Sequence, residues 1–513
     1  MLLDLLLIAG AVVGSITPAY ANDDANAGLI RAPLIRNEQA KNFLRRAITE
    51  NKFRKREQLV NADGREYLIQ VGVGTPPQVF NLTLDTGSSE LWVPSTKCQK
   101  KVCPYDRFDP ARSSTLKQSN EAFSIQYGSG SAKGTYAEEA ITVGTATVSN
   151  QKIGLVNNTK DILGVVADGA VQSNGIFGLG YPGLNSARGV QNDIPFAFNL
   201  MNQNKQMDRF SIYLTNSHQK PSIDSGGEII FGGVDETKFT GDLTYVPVVD
   251  YHIEPHQPVS PNVGQKNGTR QGGTYLYWTV AGQGVSTSKN YKHTPDDVVP
   301  FVLDTGTTLS YLPSKIVKGI VSSITSPKKA TFDAFNLVYR VDCALRKNTQ
   351  DTVHFQLSTS KTAKTNQPMD IAVPVSQLVI PIDTNDAATA TSCMFAIAPA
   401  DESDSLSSAP TWLLGESTLR AVYAVYDMGQ NRVGLAPYSP NGNGSSTNTT
   451  TSSGAVNGGG QSATASSAGS SSSVVGDQQS GEQPSTSSAA RSLVTLTPYV
   501  TTLFTLVYSI VFY

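Results

Sequence analysis

Two short stretches hold the residues whose types and spacing could do chemistry. Phe80-Asn81-Leu82-Thr83-Leu84-Asp85-Thr86-Gly87-Ser88-Ser89 is an apolar run that ends in Leu-Asp-Thr-Gly and hydroxyl residues. Phe301-Val302-Leu303-Asp304-Thr305-Gly306-Thr307-Thr308 repeats the pattern in the second half of the chain. A single Asp-Thr-Gly reads equally well as a surface turn, because all three are ordinary turn residues. Two copies, each closing a strand-like run, point instead to two similar lobes that each present a carboxylate. Carboxylates that face each other closely share one proton, since both cannot ionise. Such a pair can hold a water, take its proton and give another to a leaving group.

The elements that must position these loops read as β-structure. From Tyr67 to about Tyr438 the chain alternates short apolar strands with Gly/Pro turns, as in Glu66-Tyr67-Leu68-Ile69-Gln70-Val71 and Glu228-Ile229-Ile230-Phe231. Helices are expected only at Pro195 to Met201 and Ser314 to Ser323. The fold class is all-β with two lobes, at a length of 513 residues and 39% hydrophobic content.

A net charge of −2 argues against a nucleic-acid partner. The balance is uneven: residues 1–56 carry nine Lys/Arg against five Asp/Glu, so a basic leader precedes an acidic body. The four cysteines, Cys98, Cys103, Cys343 and Cys393, allow three pairings, of which the local one keeps one bridge in each half. None has zinc-finger spacing, and no metal or cofactor is expected. His252-Ile253-Glu254-Pro255-His256, in an inserted loop at 250–273, cannot form a helical zinc motif across its proline. Gly178-Leu179-Gly180-Tyr181-Pro182-Gly183 formally matches a dinucleotide motif, but Pro182 reads as a turn with no helix after it.

The ends have their own character. Residues 1–21 read as a signal peptide, with an apolar run from Leu5 to Val13 and Ala19-Tyr20-Ala21 as cleavage site. Residues 22–56 read as a propeptide ending in Lys55-Arg56, which resembles a kexin-type processing site cut after Arg56. The body divides into lobes at 57–245 and 246–440. Residues 441–490 are Ser, Thr, Gly, Asn and Ala in the main, a composition that cannot bury a core and suits a disordered stalk. Residues 491–513 are apolar with no basic flank after them. With the spacer and small residues before them they read as a GPI-attachment signal, with Ser487, Ser488 or Gly481 as attachment residue. Asn157, Asn267, Asn443 and Asn448 are glycosylation candidates, and Asn81 is a poorer one because it sits inside a strand.

Together these features resemble a pepsin-type aspartic protease, of the fungal GPI-anchored branch that includes yapsins. The resemblance covers 57–440. It rests on Asp85-Thr86-Gly87-Ser88-Ser89-Glu90-Leu91-Trp92-Val93-Pro94, Ile125-Gln126-Tyr127-Gly128-Ser129-Gly130-Ser131, Gly175-Ile176-Phe177-Gly178-Leu179-Gly180-Tyr181-Pro182, Asp304-Thr305-Gly306-Thr307-Thr308, Trp412-Leu413-Leu414-Gly415, Val425-Tyr426-Asp427 and Arg432-Val433-Gly434-Leu435-Ala436. It implies a bilobal fold with Asp85 and Asp304 as the water-activating dyad. Thr86 and Thr305 would tie the lobes, and Ser88 and Thr307 would donate to the carboxylates. Gly87 and Gly306 would allow close backbone approach, with Thr308 alongside. Tyr127, Gly128 and Ser129 would form a flap over substrate, with the tyrosine hydroxyl near Trp92. The implied disulfides are Cys98–Cys103 and Cys343–Cys393. Glu416 stands where the pattern more often has Asp.

The resemblance further implies a monomeric, secreted endopeptidase on the cell surface or wall, made as a zymogen and acting on protein or peptide substrates. The competing readings are an inactive protease-fold binding protein and a wall glycoprotein. Ser129 lies where several relatives supply an acid, and Gln99-Lys100-Lys101-Val102 is basic. Cleavage is therefore expected between large apolar residues, with basic residues tolerated at best, unless an acidic side chain from elsewhere, Glu90 for instance, reaches a subsite.

Overall fold

The structure is a computed structural model, described for residues 29–37, 66–127, 130–160, 162–163, 173–187, 193–215, 226–250, 275–325, 330–383, 389–400 and 412–440. These all fall within one compact unit, Met1–Thr447. The expected signal peptide, the processing site at Arg56, the histidines of the inserted loop, the stalk, and Ser487, Ser488 and Gly481 lie outside the described residues.

A 13-stranded sheet dominates. In chain order it contains β1 (Ile30–Asn37), β2 (Glu66–Val73), β3 (Gln78–Asp85), β4 (Leu91–Pro94), β5 (Lys117–Gln126), β6 (Ser131–Val143), β7 (Ala146–Lys160), β8 (Ile176–Gly178), β9 (Arg209–Leu214), β10 (Gly227–Phe231) and β11 (Thr244–Pro247), then Val422–Asp427 and Arg432–Pro437 from the far end of the chain. Alternation explains its buried face: Ile69, Val71 and Val73 of β2 and Phe80, Leu82 and Leu84 of β3 point into the core. A second sheet of eight strands, which includes β12 (Thr279–Thr287) and Val299–Leu303, belongs to the other lobe. The first lobe's sheet is not built from the first half of the chain alone. Val422–Asp427 pairs with β9, so the last strands of the chain are built into the sheet of the first lobe.

The expected helices are present as Phe196–Gln203 and Ser314–Ile324. The second places Ile316, Val317, Ile320, Val321 and Ile324 on one buried stripe. One expectation fails: a six-residue helix, Pro182–Ala187, continues from the Gly178–Pro182 turn. Pro182 opens it, and proline suits a first helical position because the missing N–H has no partner there anyway.

The leader contributes something its polar composition hides. β1 lies between β10 and β2, paired to β10 over Ile30–Leu34 and to β2 over Leu34–Asn37. Pro33 falls where the ladder is continuous on the β10 side alone, so its missing N–H leaves no gap toward β2. Ala32, Leu34, Ile35 and Arg36 are buried, and Arg31 Nη1 pairs with Glu228 at 2.8 Å and Asp235 at 2.9 Å. Leu34→Ala should therefore destabilise the unprocessed chain by about 2–4 kcal/mol, the usual cost of an emptied core site. Denaturant unfolding of the wild type and variant checks this, and an unchanged midpoint would show that the strand contributes nothing.

Candidate active site

β3 ends at Asp85 and Val299–Leu303 ends one residue before Asp304, so each carboxylate hangs from the tip of a buried strand. Behind each tip a parallel partner fixes the backbone. Asp85 is in register with Gly178 of β8, and Val302 and Leu303 with Leu413 and Leu414.

The two loops form nearly the same hydrogen-bond pattern. Gly87 N–H donates to Asp85 Oδ1 at 2.8 Å and Ser88 Oγ to Oδ2 at 2.5 Å. Gly306 N–H donates to Asp304 Oδ1 at 2.8 Å and Thr307 Oγ1 to Oδ2 at 2.6 Å. The threonines between them cross over. Thr86 Oγ1 donates to the Leu303 carbonyl at 2.8 Å and accepts from Thr305 N–H at 3.0 Å. Thr305 Oγ1 donates to the Leu84 carbonyl at 2.9 Å and accepts from Thr86 N–H at 3.1 Å.

This lock brings each carboxylate against the opposite loop. A Cβ on Gly87 would stand 2.5 Å from Asp304 Cγ, and one on Gly306 would stand 2.5 Å from Asp85 Cγ. Only glycine fits at either position. Asp85 and Asp304 expose 6% and 7% of their surface, too little for full hydration. Burial raises the pKa of both carboxyls, and the charge of Asp304 raises that of Asp85 further, against the donors at Ser88 and Gly87. The two titrate as one pair that holds a proton where isolated carboxylates have lost theirs. The arrangement can bind and deprotonate a water while donating a proton to a leaving group.

β5 and β6 form a hairpin in which Gln126 faces Ser131 and Tyr127 N–H donates to the Gly130 carbonyl. Tyr127 is half-buried, and its hydroxyl accepts from Trp92 Nε1 at 2.9 Å. Trp92 is fully buried among Phe123, Ile125, Tyr136 and Ile176, and Ile162 and Leu163 pack against this cluster beside Tyr127. Gly128 and Ser129, at the tip, lie outside the described residues. Thr308 is buried with the second loop, and its carbonyl accepts from Ser417 N–H.

The disulfides are Cys98–Cys103 and Cys343–Cys393. Lys100 and Lys101 are exposed on the first of these loops. Glu90 is 2% exposed, so it is withdrawn from the surface where a subsite acid would stand. Asn157 is exposed at a bulge of β7, where Lys133 pairs with Asn158 and Gly134 with Val156. Asn81 is half-buried in β3 opposite Gln70. Asn267, Asn443 and Asn448 lie outside the described residues. No group of three or more metal-ligating side chains occurs among the described residues. Sequence reasoning passed over Trp278, whose indole reaches from one lobe to the segment behind Asp85. The Tyr-Trp pair just before β12 is its only signal.

Residues 66–438 match the family model described as eukaryotic aspartyl protease. The chain is 30% identical over 395 residues to mucorpepsin of Rhizomucor pusillus, an alignment that spans 74% of this chain and 80% of that protein. It is 32% identical over 386 residues to cathepsin E-A of Xenopus laevis, spanning 75% and 82%. It is 30% identical over 373 residues to human gastricsin, spanning 72% and 81%.

The raised values give a signed expectation for stability. A carboxyl whose folded pKa lies above its unfolded one stabilises the fold below the ordinary carboxylate range, and that contribution is lost as pH rises through the raised value. Thermal midpoints should fall from mildly acid toward neutral pH, and less steeply in Asp304→Asn than in the wild type. Parallel curves for the two proteins would mean that the pair is not the source.

Proposed function

The chain belongs to the eukaryotic aspartyl protease family, and on that premise we propose that Asp85 and Asp304 are the catalytic dyad of this aspartic endopeptidase. The observation that carries the proposal is the crossed threonine lock, which holds two buried carboxyls each against the glycine of the other's loop. The ionised member takes a proton from water, whose oxygen adds to the peptide carbonyl carbon. The protonated member donates to the carbonyl oxygen. Collapse of the resulting diol breaks the C–N bond, and the amine leaves with a proton from the pair. Tyr127, held by Trp92, serves as the described part of a lid that excludes water.

Activity requires one proton on the pair, so the pH profile is a bell on the acid side of neutrality. Preference runs to large apolar residues on both sides of the scissile bond. Ile162 and Leu163 beside Tyr127, the exposed Lys100 and Lys101, and the burial of Glu90 support this over a basic preference. The composition of residues 1–21, 22–56, 441–490 and 491–513 supports a secreted zymogen, cut after Arg56 by a kexin-like protease and anchored by GPI in the manner of the yapsin-like branch. The exposed Asn157 suits an N-glycan better than Asn81 does.

Incubating the processed enzyme with a random peptide library at pH 3–6 tests the reading. Asp85→Asn and Asp304→Asn should each lower kcat by at least about 10³-fold while the protein still folds, since catalysis by a residue acting in a unit is lost with any member. Substantial cleavage by either variant removes the dyad. Cuts confined to Lys or Arg sites would replace the apolar preference with a basic one.

Anchoring has its own test. A chain lacking residues 491–513 should appear in the medium, whereas the full chain stays with the cells. Recovery of the 493–513 peptide in the mature cell-bound protein would show a spanning tail in place of a GPI anchor.

A further inference from the structure

Trp278 belongs to the second lobe and sits immediately before β12, fully buried. Its indole Nε1 donates to the Leu179 carbonyl of the first lobe at 2.9 Å. Leu179 N–H in turn donates to the Asp85 carbonyl at 2.8 Å. On its other side, the Trp278 carbonyl accepts from Leu303 N–H at 3.0 Å, one residue before Asp304. The Leu303 carbonyl accepts from Thr86 Oγ1, and Thr86 is next to Asp85 in the chain. These links close a circuit from Asp85 through Leu179, Trp278, Leu303 and Thr86 back to Asp85.

We propose that Trp278 is a positioning residue for the dyad, a strut that sets the separation of the two catalytic loops through its indole N–H. The proposal rests on the assignment of Asp85 and Asp304 as the catalytic pair. Thr86 and Thr305 tie the two loops to each other at a single crossing, at their tips. Trp278 adds a second tie behind it, so the two strands are held at two points. Its orientation is fixed by rings on several sides: Tyr181 at 4.6 Å, Tyr426 at 5.0 Å and Phe210 at 5.7 Å between centroids. A side chain wedged this way costs little further ordering entropy to hold its donor on the Leu179 carbonyl. Without the N–H, the buried Leu179 carbonyl loses that donor, and the segment behind Asp85 can shift relative to Asp304.

The strut predicts changes in rate and titration and not only in stability. Carboxyls that drift apart repel less, so the extra rise in the Asp85 pKa shrinks and the alkaline limb of the activity profile moves to lower pH. Trp278→Phe keeps an aromatic ring and removes the donor. Its kcat should fall about tenfold, less than the ~100-fold cost of a 1 Å misplacement. KM should stay within about twofold, because the substrate-facing surface is untouched.

Phe239→Leu loosens a separate buried cluster, with Tyr423, Val425 and Ala436, and leaves the rings around Trp278 in place. It should lower the thermal midpoint while leaving kcat and the pH profile as they are. If Trp278→Phe fails to fold, benzothienylalanine placed at position 278 by codon suppression keeps the bicyclic shape and exchanges the N–H for sulfur. A drop in kcat with the shifted alkaline limb in either donor-less protein supports the strut. An unchanged kcat and profile in a folded donor-less protein, or the same kinetic change in Phe239→Leu, reduces Trp278 to a packing residue. An inactive wild type, by contrast, would count against the dyad itself and not against the strut.

Discussion

Two carboxyl groups buried face to face are the constraint on which the rest of the structure depends. Each loses hydration, and the charge of Asp304 further disfavours ionisation of Asp85. Nothing in a single lobe would hold them there. The crossed threonines do so by committing both hydrogen-bonding capacities of each hydroxyl to the opposite strand: each donates to a carbonyl and accepts from an N–H. Because these groups are buried, breaking one bond leaves polar atoms without water to replace the partner. The carboxyls are thus kept close by hydrogen bonds whose loss would leave buried groups unpaired. The raised pKa values are a consequence of that enforced proximity and burial.

The same constraint decided what could be seen in the sequence. Asp85 and Asp304 were legible because a shared proton needs two equivalent groups, and equivalence left a repeated Leu-Asp-Thr-Gly. Gly87 and Gly306 were legible for a related reason, since each must yield its Cβ volume to the opposite carboxylate. The all-β class was readable from alternation in segments such as β2 and β3. The buried stripe of Ser314–Ile324 was equally plain in its spacing.

What escaped was set by tertiary context. β1 alternates at Ile30, Ala32 and Leu34, but the polar, basic composition of residues 22–56 reads as a propeptide and not as part of the folded sheet. Only the staggered pairing to β10 and β2 makes Pro33 acceptable. Pro182 misled in the opposite sense, as a turn residue that also opens a helix. Trp278 gave no motif because its partner is a backbone carbonyl, and a carbonyl leaves no trace in residue identity. The last two strands could be recognised as strands, whereas their place beside β9 in the first lobe's sheet depends on long-range pairing.

The placement of β1 bears on how the proposed leader would come away. Its ion pairs invite reading as an acid trigger, since Arg31 faces two carboxylates. Those two respond differently to pH. Burial raises the pKa of Glu228, so acid neutralises it early and relieves a buried charge. Asp235 is also disfavoured by burial, but Thr237 and Arg31 outweigh this and hold its pKa below the usual value. A depressed pKa means a contribution present above the unfolded value and lost only as pH falls through the folded one. Over mildly acid pH Arg31 therefore keeps Asp235. The ladders to β10 and β2 and the buried Leu34 do not titrate at all. Acid by itself is a weak signal for releasing this strand, and the proposed cut after Arg56, between β1 and β2, would first have to free it from its covalent tether.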